Sequence, residues 1–456
     1  MANHNNTTLR KPTTFREFVK LVASQPSSLQ RYLNDINLLV LMPEDCEHHG
    51  ALKGLKLENL KSLSLAKSSN NTDDALLPYL QPRLESLFFY GGPISDLFFE
   101  KLQVCDIPHP KYRGMALTCR SNHQSLCPSL KELLIFNPRH TQCTSEGLRR
   151  YVEGATSLRT LQILCGLDYP VASDIFCALA KTSTLRVLDF RLPLTTQLIQ
   201  TAAIARQHYA NNSQLFSRLQ RLVCIADYEA LLRLLPHLHN LVDLEVSIGG
   251  EVQDLFAEFC KLDLRLRFIQ LEYLSRSHIH INPVTMHNFV RRRAWDIEKL
   301  SISGHSLWGR GFTIPVLDII ERATSLKIFR LWMDNDLNET ALLTAATCGA
   351  QRRLTELDLG GCHDFDLLRS QWNVKRFKFG DQLTALNLGM VKWPDGRWPS
   401  NGSYTVGMKA AEFARFLMTI APKLVDFNIR ASWDPFSSNA HACSLMEVHV
   451  LLITDC

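Results

Sequence analysis

The chain has 456 residues, 46% of them hydrophobic, and a formal net charge of +5. This composition is ordinary for a folded globular protein, and so small a charge on so long a chain argues against an extensive nucleic-acid or membrane surface. The polar stretch 1–15 lacks the apolar core of a secretory signal, and no run of about 18 apolar residues predicts a membrane-spanning helix. We therefore expect no nucleic-acid partner and no membrane partner.

The 13 cysteines are odd in number and lack the regular spacing of a disulfide framework. Several of them, including Cys165, Cys224 and Cys362, stand at apolar positions of the repeat described next. This pattern indicates reduced thiols that are buried as small apolar side chains. The cysteine usage therefore predicts a reducing compartment, which is the cytoplasm or the nucleus.

The dominant feature of the sequence is a six-residue phrase, L-x-x-L-x-L, in which other apolar residues replace some of the leucines. Its fourteen copies lie at 36–41, 60–65, 84–89, 130–135, 158–163, 185–190, 219–224, 241–246, 266–271, 297–302, 326–331, 354–359, 383–388 and 424–429. A period of roughly 20–30 residues that carries this phrase is typical of a leucine-rich repeat. Within each phrase the last apolar residues alternate with a non-core position, which predicts a short strand.

Helical patterns follow most of these strands. We predict them at 73–81, 145–154, 170–181, 195–210, 227–238, 251–262, 283–294, 313–324, 337–349 and 405–421, with one more helix between 84 and 130. A strand-plus-helix unit has one apolar face, which only stacking against neighbouring units can bury. The predicted fold class is therefore α/β, a leucine-rich-repeat solenoid or horseshoe with parallel strands on its concave face and helices on its convex face.

The uneven spacing of the phrases predicts the domain organisation. We expect a disordered N-terminus at 1–13, an N-terminal capping helix at 14–34, a solenoid at 35–430 with insertions near 105–129 and 392–404, and a C-terminal cap or tail at 431–456. The solenoid would hold about 13–14 irregular repeats. Residues 374–379 resemble the phrase but lie only 9 residues before the next one, so we interpret them as an extra strand or a degenerate repeat.

Two copies of the phrase resemble a known family. The phrase at Leu354 extends to L-x-x-L-x-L-x-x-C, ending at Cys362, and the phrase at Leu60 continues into Asn71-Thr-Asp-Asp-Ala-Leu-Leu77. Both resemble the helix-bearing, cysteine-containing repeats of F-box/leucine-rich-repeat proteins. The irregular spacing and the opening segment 15–21 resemble the large fungal, intracellular set of that family.

This resemblance covers residues 15–430 and implies a substrate receptor of an SCF-type, cullin-based ubiquitin ligase. In that family an F-box normally precedes the repeats, yet here the repeats begin by Ile36 and no F-box is recognisable. A Skp1-type adaptor is therefore expected as a partner only if such a module is cryptic or missing from this sequence.

The best candidates for partner binding are the residues between the last two apolar positions of each phrase, because a strand turns these toward solvent. The row reads Ser64, Phe88, Leu134, Gln162, Asp189, Val223, Glu245, Gln270, Ser301, Arg330, Asp358, Asn387 and Asn428. From this row we predict that a protein substrate or partner contacts Phe88, Leu134, Gln162, Asp189, Glu245, Gln270, Arg330, Asp358 and Asn387. The alternative for Phe88 and Leu134 is that the segment 91–129 covers them. For Trp332 there are also two interpretations, in which it either reaches the concave rim or is buried between repeats.

Three weaker signals allow two interpretations each. Cys119, His123 and Cys127, with His140 and Cys143, have residue types that bind zinc, but paired C-x-x-C knuckles are missing and we predict no metal. The run 291–293 is either a phosphate-binding or nuclear-import patch or, as we prefer, the solvated C-terminus of a helix. Trp393, Trp398 and Trp433 form either a recognition cluster or, as we prefer, a cap on one end of the solenoid.

The sequence contains none of the motifs G-x-x-x-x-G-K-[ST], H-E-x-x-H or G-x-S-x-G. We therefore predict that the chain is not an enzyme and uses no cofactor. The preferred function is a non-catalytic protein-protein interaction scaffold, namely the substrate-recognition part of an SCF-type ligase. The alternative is a regulatory leucine-rich-repeat protein unrelated to ubiquitin, such as a GTPase-activating-like solenoid.

Overall fold

A computed structural model gives the arrangement of most of the repeats. The residues it describes are 17, 20, 36–41, 57–66, 79–90, 96–102, 127–136, 145–164, 169–182, 184–207, 215–251, 254–262, 264–274, 279–293, 295–309, 313–335, 337–347, 353–375, 378–392 and 415–429. The described chain divides into two compact units, Met1–Val223 and Cys224–Cys456. Each unit is described below by itself.

The first unit alternates strands and helices. Its strands are β1 (Leu38–Leu41), β2 (Ser62–Ala66), β3 (Ser86–Tyr90), β4 (Glu132–Phe136), β5 (Thr160–Ile163) and β6 (Val187–Leu194), and the unit ends within β7 (Arg221–Asp227). Its helices are α1 (Asp96–Leu102), α2 (Ser145–Gly154), α3 (Tyr169–Lys181) and α4 (Thr196–Gln207).

The second unit continues the same pattern. Its strands are β8 (Asp243–Gly249), β9 (Phe268–Tyr273), β10 (Ile279–His280), β11 (Lys299–Gly309), β12 (Ile328–Asn335), β13 (Glu356–Asp364), β14 (Ala385–Lys392) and β15 (Asp426–Ile429). Its helices are α5 (Tyr228–Leu234), which a short 3-10 turn at Leu235–His237 extends, α6 (Leu255–Lys261), α7 (Pro283–Arg293), α8 (Thr313–Arg322), α9 (Glu339–Thr347) and α10 (Phe365–Lys375). Residues 415–420 are also helical.

All fourteen predicted phrases form strands, and neighbouring strands pair in parallel and in the same register. In the first unit the fourth residues of the phrases form one ladder, in which Leu39 pairs with Leu63, Leu63 with Leu87, and so on through Leu133 and Leu161. The second unit has the equivalent ladder from Leu244 to Phe427. The predicted α/β, leucine-rich-repeat-like fold with an all-parallel sheet is therefore confirmed.

Backbone hydrogen bonds explain why the phrase begins where it does. The amide of Leu60 donates to the carbonyl of Leu57 at 2.9 Å, and the amide of Leu130 donates to Cys127 at 3.2 Å, so a tight turn precedes the phrase. The carbonyl of the second residue of the phrase then accepts two amides from the following repeat. The carbonyl of Lys61, for example, accepts from the amide of Glu85 at 2.8 Å and from that of Ser86 at 2.9 Å. Since this link uses only main-chain atoms, the side chain at that position is free to vary.

The buried residues of each strand face the helices. Phe89 of β3 contacts Phe98 of α1 with ring centroids 5.6 Å apart, and Phe190 of β6 contacts Phe176 of α3 at 5.9 Å. Burial of a large apolar side chain contributes about 1.5–3 kcal/mol each, so this strand-helix interface is the core. The opposite side of each unit's sheet, called the outward face below, carries the alternate residues.

One predicted element is wrong and two were missed. Residues 374–379 do not form an extra strand where they are described, because Val374 and Lys375 end α10 and residues 378–379 are not in a strand. The helix α10 was not predicted; the carboxylate of Asp364 accepts the amide of Leu367 at 3.0 Å near its start. Buried Leu368 then holds the helix against the core. The short strand β10 was also missed.

Several predicted segments lie outside the described residues. These are most of the capping helix 14–34, of which residues 17 and 20 are helical, most of the helix 73–81, the insertions near 105–129 and 392–404 except their described ends, the first half of the helix 405–421, and the tail 431–456. The tryptophans at 393, 398 and 433 lie there too.

A close approach between α1 and α2 yields a first testable prediction. A Cβ atom added at Gly147 would overlap the side chain of Asp96. We expect Gly147→Ala to lower the free energy of unfolding by about 1–3 kcal/mol, as overpacking does, although helix propensity alone would raise it by about 1 kcal/mol. Urea denaturation followed by circular dichroism measures the sign. The same change in an Asp96→Gly background, which removes every overlapping atom including the Cβ, serves as the control and should no longer destabilise, whereas a stabilising Gly147→Ala in the native background contradicts the overlap.

Candidate outward-face binding surface

The strand register brings the predicted binding residues into one row in each unit. In the first unit Ser64 pairs with Phe88, Phe88 with Leu134, Leu134 with Gln162, and Gln162 with Asp189. The row of the second unit runs through Glu245, Gln270, Ser301, Arg330, Asp358 and Asn387. The predicted placement of all nine candidates on the outward side of the sheet is therefore found, while their role in partner binding stays a prediction.

An apolar patch, defined as Phe88, Tyr90, Leu134 and Phe136, lies on β3 and β4 of the first unit. Phe88 pairs with Leu134 and Tyr90 with Phe136 in the register of the two strands. The rings of Tyr90 and Phe136 are 5.7 Å apart and remain 41% and 44% exposed, whereas Phe88 and Leu134 are half-buried. The segment predicted to cover the last two lies mostly outside the described residues.

Tyr90 and Phe136 were missed at the sequence level. Each is the residue directly after the phrase, two positions beyond Phe88 and Leu134. Because β3 and β4 extend one residue past the phrase, the alternation of the strand carries these rings onto the same face. The signal that identifies them is therefore the aromatic residue at the seventh position of two consecutive repeats.

A basic edge, defined as Lys61, Lys131, Arg159 and Arg186, lies where β2, β4, β5 and β6 begin. Only Glu85 of β3 interrupts it, and Lys131 donates to that carboxylate at 2.7 Å. The pKa of Glu85 is lowered, first by this hydrogen bond and then by the positive charges of Lys131, Lys61 and Arg159. The edge therefore has surplus positive charge around a single carboxylate.

The outward face of the second unit is polar. Arg330 donates to Glu356 on the neighbouring strand at 2.6 Å, and Lys299 donates to Gln270 at 2.7 Å. Trp332, two positions beyond Arg330, is 49% exposed. The alternative in which this tryptophan is buried between repeats is therefore wrong, and its position at the concave rim stays a prediction.

Two of the predicted contact residues are not accessible. Asp189 is 7% exposed and Asp358 is 2% exposed, so the expectation that these two carboxylates face solvent is wrong. Asp189 is partly covered by Arg191 of its own strand, whose guanidinium lies 3.3 Å away, and Asp358 is flanked in the sheet by Arg330 and Asn387. The neighbouring guanidinium thus explains part of the burial of Asp189.

The group of cysteines and histidines that was weighed as a zinc site, and not preferred, has one described member. Cys127 is 3% exposed and precedes β4 at the turn position that Leu57 occupies before β2. Burial raises the pKa of its thiol to about 12, which disfavours the thiolate that zinc requires. Cys127 is thus a core residue, and the other members lie outside the described residues. Among the described residues no cluster of metal-ligating side chains is found.

The arginine run 291–293 occupies the last turn of α7, as the preferred interpretation predicts. The guanidinium of Arg292 donates to the carbonyl of Cys260 at 3.0 Å. A cavity of about 300 Å³ lies beside it and is lined by Phe259, Cys260, Lys261, Leu262, Phe289, Arg292 and Arg293. Burial raises the pKa of the Cys260 thiol, so this cavity lacks an activated nucleophile.

A buried histidine yields the second prediction. His363 of β13 is 0% exposed, its Nε2 donates to the carbonyl of Gly360 at 3.1 Å, and its Nδ1 has no hydrogen-bond partner among the described residues. Burial lowers the pKa of this imidazole below 6.5, so the folded protein holds it neutral. The unfolded chain binds a proton at this imidazole more readily than the folded chain does. The free energy of unfolding is therefore unaffected by this group above about pH 6.5 and decreases as the pH falls below that value.

We expect urea unfolding of the native chain to lose stability between about pH 7 and pH 5 more steeply than that of His363→Gln, whose amide retains a donor for Gly360. His239→Gln, at an exposed histidine after the 3-10 turn that extends α5, is the control for an unrelated imidazole. Equal slopes for the native chain and His363→Gln contradict the assignment.

Within the described residues no helix is long and apolar enough to span a bilayer. Comparison with known proteins gives matches among solved structures alone. No protein-family model and no curated protein sequence matches the chain. Among solved structures it is similar to that of the Rad7 and Elc1 complex in yeast, with a TM-score of 0.36 and 15% identity over 85% of this chain and 86% of that chain.

It is also similar to the TLR13–ssRNA13 complex, with a TM-score of 0.35, 16% identity and coverage of 85% of this chain. The matched region spans 55% of the TLR13 chain. These similarities are too weak to transfer a function. The strand ladders and turns described above define the class of this protein, an α/β solenoid of the leucine-rich-repeat type, a fold that is typically non-catalytic.

Proposed function

We propose that this chain is a non-catalytic scaffold that binds a protein partner through the apolar patch of its first unit. The observation that carries the proposal is the pair of exposed rings, Tyr90 and Phe136, beside Phe88 and Leu134 on a rigid parallel sheet. Aromatic side chains that stay exposed in a cluster leave apolar surface in water at a cost of about 25 cal/mol per Å². Such clusters are typical centres of protein-protein interfaces.

We further propose that the partner is a substrate for ubiquitin transfer and that the chain is the recognition part of an SCF-type ligase. The support is the L-x-x-L-x-L-x-x-C repeat ending at Cys362 and its resemblance to F-box/leucine-rich-repeat proteins. The proposed compartment is the cytoplasm or the nucleus, supported by thiols rather than disulfide bonds at the described cysteines 127, 177, 224 and 260.

Site-specific photocrosslinking tests the binding half of this proposal. A benzophenone amino acid placed at Phe136 should trap a protein partner in cells, whereas the same group at Ile204, which is 57% exposed on α4 of the same unit, should not. Equal trapping at both positions contradicts a binding role for the apolar patch.

Co-purification with the full chain tests the ligase half. A Skp1-type adaptor and a cullin in stoichiometric amounts support a receptor role. A partner trapped at Phe136 without any co-purified adaptor retains the proposed scaffold role and overturns the proposed ligase role. The two roles can be separated because the two interactions are measured independently.

A further inference from the structure

The apolar patch and the basic edge share β4 of the first unit and otherwise lie on neighbouring strands, and their combination indicates the chemistry of the partner. Lys131 directly precedes β4, the strand that carries Leu134 and Phe136. At about 3.3 Å per residue, the basic edge lies roughly 10–17 Å from these two apolar residues. One peptide segment is long enough to contact both.

The charges along this edge are incompletely balanced. The one carboxylate within the edge is Glu85, which accepts from Lys131 at 2.7 Å. Glu132, the first residue of β4, accepts from the hydroxyl of Ser86 at 2.7 Å and keeps its charge, so the four cations still outnumber the carboxylates beside them. Among the described residues no carboxylate lies within ion-pair distance of Lys61, Arg159 or Arg186.

The cations are also accessible. Lys61, Arg159 and Arg186 are exposed, and Lys131 is half-buried. Arg159 and Arg186 begin adjacent strands, because the amides of Arg186 and Val187 both bond to the carbonyl of Arg159. Neighbouring strands lie about 4.8 Å apart, so one or two carboxylates of a partner can contact both guanidinium groups.

We propose that the partner of the apolar patch presents a peptide segment in which acidic residues lie next to apolar anchors. The anchors contact Phe88, Tyr90, Leu134 and Phe136, and the carboxylates contact Arg159, Arg186 and Lys61. In an extended segment the two sets would be about three to five residues apart. This inference rests on the proposed function and adds to it the charge and the spacing of the recognised segment.

Selection from a random peptide library displayed on phage, with the full chain as the target, tests the inference. We expect enriched peptides to carry Asp or Glu within a few residues of an aromatic or aliphatic residue. Synthetic versions of these peptides should bind about tenfold more weakly when their acidic residues are replaced by the corresponding amides, because contacts to accessible charges are lost.

Charge reversal supplies the matched variants. Arg159→Glu with Arg186→Glu should weaken binding of the acidic peptides about tenfold or more. Arg233→Glu with Lys423→Glu changes the net charge by the same amount at exposed residues of the second unit and should leave binding unchanged. Thermal unfolding should be the same for both doubly substituted chains.

The outcomes separate the two proposals. This inference is overturned, and the proposed function retained, by one combination of results. The enriched peptides lack acidic residues, they bind the chain with Arg159→Glu and Arg186→Glu as tightly as the native chain, and they lose binding to Phe136→Asp. Peptides whose binding is insensitive to Phe136→Asp overturn both. Displacement of the peptides by polyuridine RNA at equal charge concentration overturns the inference in favour of a nucleic acid on the basic edge.

Discussion

Replacement of Phe176 by alanine is expected to lower the free energy of unfolding of the first unit by about 3–5 kcal/mol. Phe176 is 0% exposed on α3, and its ring centroid lies 5.9 Å from Phe190 of β6 and 5.3 Å from Phe216 in the turn before β7. One ring thus joins a helix, its following strand and the next turn. Its removal leaves a cavity among elements that cannot collapse independently.

Hydrogen exchange followed by mass spectrometry measures the loss of stability separately for each segment of the chain. This is appropriate because repeat proteins need not unfold in one step. Peptides from β5, β6 and α3 should exchange faster, and urea denaturation should shift to a lower midpoint. Ile204→Ala removes an exposed apolar side chain from the next helix, α4, and should change stability by less than about 0.5 kcal/mol. Similar losses for the two variants contradict a central packing role for Phe176.

The strands were the most predictable part of this fold. A phrase with leucines at its fourth and sixth positions has a single strand register that buries both, and a shift by one residue would expose them. The leucine at the first position is buried in the turn before the strand. The ladder from Leu39 to Leu161 is therefore already determined by leucine spacing. Parallel pairing follows because a helix or loop separates successive strands.

Other elements could not be predicted because they depend on contacts distant in sequence. The helix α10 has a weaker apolar stripe, and Asp364 and Leu368 stabilise its first turn. Asp358 is buried in a sheet position between Arg330 and Asn387 on the two neighbouring strands, which no single repeat contains. The phrase alone also gives no indication that β3 and β4 continue for one more residue, to Tyr90 and Phe136.

The accessibility of the binding residues likewise depends on contacts that the sequence does not reveal. The sequence predicted the outward row, including the apolar pair Phe88 and Leu134, but gave no indication that Asp189 and Asp358 are buried. The structure makes Tyr90 and Phe136 the more exposed residues of the patch. A substitution that tests binding should therefore be made at one of these two residues rather than at Asp189 or Asp358.

Phe136→Asp is expected to weaken binding of the partner trapped through the apolar patch by about 30-fold or more, which corresponds to about 2 kcal/mol. The ring is 44% exposed and packs at 5.7 Å only on Tyr90 among the described aromatic residues. Its replacement removes apolar contact area and places a charge that a partner must desolvate. Because the side chain lies outside the core, the folded structure should be retained.

Isothermal titration with the purified partner measures this loss, and thermal unfolding checks the fold. Leu274→Asp is the matched control, since Leu274 is 49% exposed at the end of β9 in the second unit and lies outside the patch. Binding that falls equally in both variants would indicate a general effect of added negative charge. Binding retained by Phe136→Asp would exclude the patch as the centre of the interface, because an unpaired carboxylate buried there would have to be desolvated.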